Sequence, residues 1–85
     1  MTILKMSPLE VLKRFPAFEA NIRKLYREDD TFRTICEDYA ECSDALQRWS
    51  RLQSGEAAVR KREYADLLQD LEAEILQYLG EHKES

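Results

Sequence analysis

Between Thr31 and Trp49 the apolar residues Phe32, Ile35, Tyr39, Cys42, Leu46 and Trp49 recur at alternating steps of three and four. A helical turn takes about 3.6 residues, so this spacing keeps them on one side of an α-helix. Cys36 widens the stripe by one position. The opposite side carries Arg33, Glu37, Asp38, Glu41, Asp44 and Arg48. Such a helix is not stable alone, because its apolar side must be covered.

A second stripe runs through Tyr64, Leu68, Leu71, Ile75 and Tyr78, with Ala57 at its start and Leu67 and Leu79 beside it. Polar residues cluster from Ser50 to Gly55, and Gly55 suits a helix C-cap or a turn. Glu56 is expected to open the last helix and Gly80 to end it. Two amphipathic helices joined by so short a loop pack antiparallel. Folding at that loop sets Asp44 opposite Lys61 and Arg33 opposite Glu72. Tyr39 and Phe32 then meet Leu67, Leu68 and Leu71.

The amino-terminal part reads as shorter helices. Ser7 can cap, Pro8 suits the first helical position, and Glu10 can complete a capping box. Val11, Leu12 and Phe15 make this piece apolar. Pro16 lacks an N–H and pushes Phe15 out of helical angles, so a second helix begins near it. Phe18, Ile22, Leu25 and Tyr26 continue at helical spacing. Phe18, Leu25, Phe32, Tyr39 and Leu46 are each seven apart, which argues for one continuous helix. Asp29 would then fall on the apolar seam, and Asp30 or Thr31 can cap a new helix. A break near Asp29–Asp30 is the reading adopted, with continuity as the alternative. No β-branched alternation or hairpin dipeptide marks a strand.

The expected fold is therefore all-α: an antiparallel helical hairpin with a short amino-terminal helix, three to four helices in all. Residues 1–85 form a single helical domain. It comprises an arm (1–7), an amino-terminal helical segment (8–28), hairpin helices (31–50 and 56–79) and a tail (80–85).

Composition narrows the function. A chain of 85 residues buries only roughly 60–65% of its unfolded surface, so its core is thin. Cys36 and Cys42 lie six apart on one helix, about 9 Å along its axis. That is beyond the roughly 7 Å limit of a disulfide. No secretory leader or membrane-length apolar run is visible. The expectation is a cytoplasmic protein with reduced thiols and no membrane partner.

The net charge of −4 conceals an asymmetry. Met1 to Arg27 carries six basic and two acidic residues; the remainder carries seven basic and fifteen acidic. Lys13, Arg14, Arg23, Lys24 and Arg27 are candidate anion contacts. The simpler reading pairs them with the chain's own acidic helices. In the last helix, Arg60-Lys61-Arg62 near the start and Asp70, Glu72 and Glu74 near the end oppose the macrodipole. Those charges serve either a partner or the hairpin itself.

Phe15-Pro16-Ala17-Phe18, Ile22, Leu25, Asp30-Thr31-Phe32, Tyr64-x-x-Leu67-Leu68 and Leu71-Glu72-x-Glu74-Ile75-Leu76 resemble the YdcH-like family of small bacterial proteins. The resemblance covers residues 15–79 and implies an all-helical hairpin with no established activity. The family commonly has a histidine where Tyr39 stands and a leucine where Cys42 stands. Its following acidic residue is displaced to Asp44. No family residue role carries over.

Chemistry is sparse. His82 is the only histidine and sits in the tail, where nothing holds it against a nucleophile. Cys36, Cys42 and His82 match no zinc spacing. Gly55 and Gly80 are the only glycines, so no phosphate loop exists. No enzyme activity and no cofactor are expected. Arg48, Trp49 and Arg51 form a candidate protein-interaction patch, because Trp and Arg dominate binding hot spots. The alternative for the aromatic residues is core packing with polar tips outward.

The sequence thus points to a non-catalytic self-associating or protein-interaction module. Its partner would be a second copy or another helical protein. The alternative is an accessory that touches nucleic acid through its basic amino-terminal segment, though the acidic balance disfavours it.

Overall fold

In the computed structural model, which describes residues 8–81, every regular element is helical and no strand occurs among those residues. Helix α1 spans Leu9–Arg14 and a 3₁₀ turn spans Pro16–Phe18. Helices α2, α3 and α4 span Glu19–Glu28, Asp30–Ser50 and Gly55–Glu81. No helix among the described residues is long and apolar enough to cross a membrane.

Local chemistry explains the boundaries. Leu9 opens α1, one residue later than expected. Pro8 sits at the cap, and its carbonyl accepts the Leu12 N–H at 2.9 Å. Ser7 lies outside the described residues, and Glu10 accepts from Lys13 at 3.5 Å. Phe15 leaves the helical region immediately before Pro16, as the proline demands.

The chain breaks between α2 and α3, as the aspartates argued. The cap is Asp29, not Asp30 or Thr31. Its backbone is extended, and its carboxylate accepts the Phe32 N–H at 3.0 Å. The same carboxylate accepts the Tyr78 hydroxyl of α4 at 2.5 Å. Asp29 therefore stays on the buried side because it is partnered there. Arg33 closes the other side of the break. Its guanidinium donates to the carbonyls of Tyr26 and Arg27, each at 3.1 Å, and lies over the Tyr26 ring. These are terminal carbonyls of α2, which the helix leaves without partners.

Gly55 begins α4 instead of ending α3, and Ser54 supplies the cap: its hydroxyl accepts the Ala57 N–H at 3.0 Å. Gly80 does not stop α4, which runs on through Glu81.

Helices α3 and α4 are antiparallel. Phe32 packs against the Tyr78 ring, Tyr39 donates to Glu72, and Cys42 donates to the Tyr64 carbonyl. The partner number falls as the first rises. Close to the loop this matches the simple fold-over. At the far end the partners lie five or six positions further along α4 than the fold-over gives, about one and a half turns, as in Phe32 with Tyr78 and Tyr39 with Glu72.

The expected charge partners are replaced as well. Arg33 is held at the α2–α3 break and Asp44 pairs with Arg48 of its own helix. Glu72 receives Arg14 of α1 at 3.1 Å and the Tyr39 hydroxyl at 2.8 Å. Arg60 is flanked by Glu56 and Glu63. The charges that oppose the α4 macrodipole are thus partly used inside the chain.

One core joins all four helices: Val11 and Phe15, Ile22 and Leu25, Phe32, Cys36, Tyr39 and Cys42, and Leu71, Ile75 and Leu79. Helices α1 and α2 both pack on α3, so the amino-terminal segment covers one side of the hairpin. The buried row of α3 is Phe32, Cys36, Tyr39, Cys42 and Ala45, while Ile35, Leu46 and Trp49 are half-buried. Cys36 is 1% exposed, and Tyr26 of α2 packs against the same core.

Candidate functional site

The hairpin has two long sides, and the described residues fill only one. On the filled side α1 reaches α4 through the Arg14–Glu72 pair. The other side holds two hollows end to end.

The hollow nearer the loop, about 510 Å³, has a floor of Cys42, Ala45, Tyr64, Leu67 and Leu71. Its edge carries Asp38, Glu41, Asp44 and Arg48. The second, about 400 Å³, lies between Thr31 and Ile35 of α3 and Glu74, Gln77, Tyr78 and Glu81 of α4.

Helical geometry joins the two hollows into one groove. On α3 the lining passes through Thr31, Ile35, Asp38, Cys42 and Ala45, in steps of four, three, four and three. On α4 it passes through Tyr64, Leu67, Leu71, Glu74, Tyr78 and Glu81, stepping three and four. Each row keeps to one side of its helix. Leu67, grouped with the core by its spacing, is nearly half exposed in this groove.

The candidate interaction patch is only partly brought together here. Arg48 borders the groove and pairs with Asp44 at 3.5 Å. Trp49 is half-buried at the end of α3, and Arg51 is exposed in the loop.

The candidate anion contacts do not form one cluster of free cations. Lys13 pairs with Glu10, Arg14 with Glu72, and Arg23 with Glu19 at 3.0 Å. Lys24 also has a partner, and Arg27 is exposed on α2.

Both cysteines are free and buried. Burial, with the Glu37 carboxylate as a second cause, pushes the Cys36 thiol up to about 12. Burial also raises Cys42, whose Sγ donates to the Tyr64 carbonyl at 3.2 Å. Neither carries the lowered pKa of a reactive thiolate. No cluster of metal-ligating side chains occurs among the described residues. His82 lies outside them.

Among the described residues, the fold and groove define an all-helical hairpin with one side packed by α1 and α2 and the other side left open. No family model, curated protein or solved structure matches it.

Sequence reasoning missed the groove because Leu67, Leu71 and Cys42 read equally well as core. The usable signal was the second row on α4, where Leu67, Glu74 and Glu81 share a register beside the buried stripe.

Proposed function

We propose that the protein is a non-catalytic interaction module whose open hairpin side receives a helix of another protein molecule. The observation that carries this reading is the pair of hollows along α3 and α4: the one nearer the loop has an apolar floor, and the other adds Ile35 and Tyr78 among polar residues. A groove between two antiparallel helices is the shape that a third helix fills. The raised cysteine pKa values support a non-catalytic role. Free cysteines fit a reducing, cytoplasmic setting. The YdcH-like resemblance is proposed on the quoted residues alone and adds no activity. The second reading, nucleic-acid contact through the basic segment, is weakened by the carboxylates already on Lys13, Arg14 and Arg23.

A photo-crosslinking side chain placed at Leu67, and separately at Leu76, tests the module in the native host. Both residues are 46% exposed. They lie nine positions apart, about half a turn around α4 from each other. Protein adducts at position 67 and not at 76 are expected, and their mass separates a second copy from another protein. No protein adduct at 67 would overturn the reading.

A further inference from the structure

We propose that the groove between α3 and α4 docks a cationic amphipathic helix of a different protein, and not a second copy of this chain. This rests on the interaction-module reading and adds the chemistry of the occupant.

The charges around the groove are one-sided. Asp38, Glu41 and Asp44 edge one hollow and Glu74 and Glu81 the other, against the single cation Arg48. Arg48 is already paired with Asp44. An occupant must therefore bring an apolar row for the floor and positive charge for the edges.

Set groove to groove, the described residues of a second copy do not supply both. Two grooves set face to face bring carboxylates against carboxylates, and like-charge contact of this kind is costly. The chain's own basic helix, α2, is exposed at Arg23, Lys24 and Arg27, but its outward side offers only Ala20 as an apolar neighbour. The remaining exposed apolar residues, Leu9, Phe18, Leu52, Val59 and Leu76, are scattered over α1, the 3₁₀ turn, the loop and α4. Among the described residues none of these forms a row that fits the groove.

The length of the occupant follows from α4. Tyr64 to Glu81 spans seventeen steps, or about 25 Å at 1.5 Å per residue. The fitting partner is a helix of roughly five turns, with apolar residues three and four apart and Lys or Arg on both flanks.

The test uses two fluorescein-labelled eighteen-residue peptides with identical leucine rows, one with lysine flanks and one with glutamate flanks. Each is titrated with the full chain, and the chain's own mass is measured by light scattering. The lysine peptide is expected to bind about tenfold tighter or more, with affinity falling as salt rises. Leu67→Asn is expected to weaken it several-fold, whereas Leu76→Asn on the far side leaves it unchanged. Equal affinity for both peptides, with both weakened by Leu67→Asn, would overturn the cationic assignment and leave the interaction module standing, whereas binding indifferent to Leu67→Asn would overturn the groove as the docking site in both readings. Failure of both peptides with a dimer that Leu67→Asn splits would assign the groove to a second copy. Failure of both with a one-chain mass would remove this proposal and the module reading together.

Discussion

Tyr39 carries its hydroxyl from α3 onto Glu72, which also holds Arg14 of α1. Tyr78 carries its hydroxyl from α4 onto Asp29, which also caps α3. Each tyrosine thus joins elements distant in sequence through one carboxylate. Tyr39→Phe removes a nearly buried bond to a charged acceptor, with an expected cost of about 1.5–3 kcal/mol in urea unfolding. Burial first, then the Glu72 bond, raises the Tyr39 pKa. The Asp29 bond first, then burial, raises Tyr78 to about 12, and burial takes Cys36 from 9.0 to about 12.

In each case the folded protein holds the proton more tightly than the unfolded chain. The stability this contributes is complete below the unfolded pKa and is lost as pH rises through the folded value. The melting temperature is therefore expected to fall between about pH 9 and pH 12. A flat profile across that window would contradict these placements. At neutral pH both thiols are expected to label only at the pace of unfolding, as measured by thiol-reagent kinetics with and without urea.

Capping decides where the helices start. Ser54→Ala leaves the Ala57 N–H without its acceptor and is expected to cost about 1 kcal/mol. Gly80 lies within α4, and a Cβ there would meet nothing within 4 Å. Gly80→Ala is expected to stabilise by about 0.5–1 kcal/mol, because glycine loses more backbone freedom in a helix. Chemical unfolding of the two variants checks both signs. The break at Asp29 shows why a heptad alone did not settle continuity. The apolar register persists across α2 and α3 while the backbone does not. One carboxylate satisfies the new helix start, and Arg33 satisfies the old helix end.

At the scale of the whole molecule, Phe32 is the hub. It is fully buried and packs against the Tyr78 ring at 5.3 Å between ring centres, tilted by 46°. Phe32→Ala is expected to cost about 3–5 kcal/mol. A chain of 85 residues has only about 4–13 kcal/mol in total at 0.05–0.15 kcal/mol per residue. The variant is expected to melt well below the parent chain, as read by circular dichroism.

The periodicity of the chain alone determined that this protein is helical, that the loop falls between Ser50 and Gly55, and that the two long helices lie antiparallel. Those features are local or follow from a short connection. Tyr39 and Leu71 are both buried, as that arrangement requires.

Only tertiary packing decided the rest. It set the far partners on α4 about one and a half turns further along, gave Glu72 to Arg14 and Tyr39, and turned the buried row of α3 towards Cys36 where α2 packs on that helix. The groove belongs to the same category. Spacing shows which residues share a side of a helix, but not which side the amino-terminal helices cover. That choice depends on the relative placement of separate elements, to which no window of sequence has access.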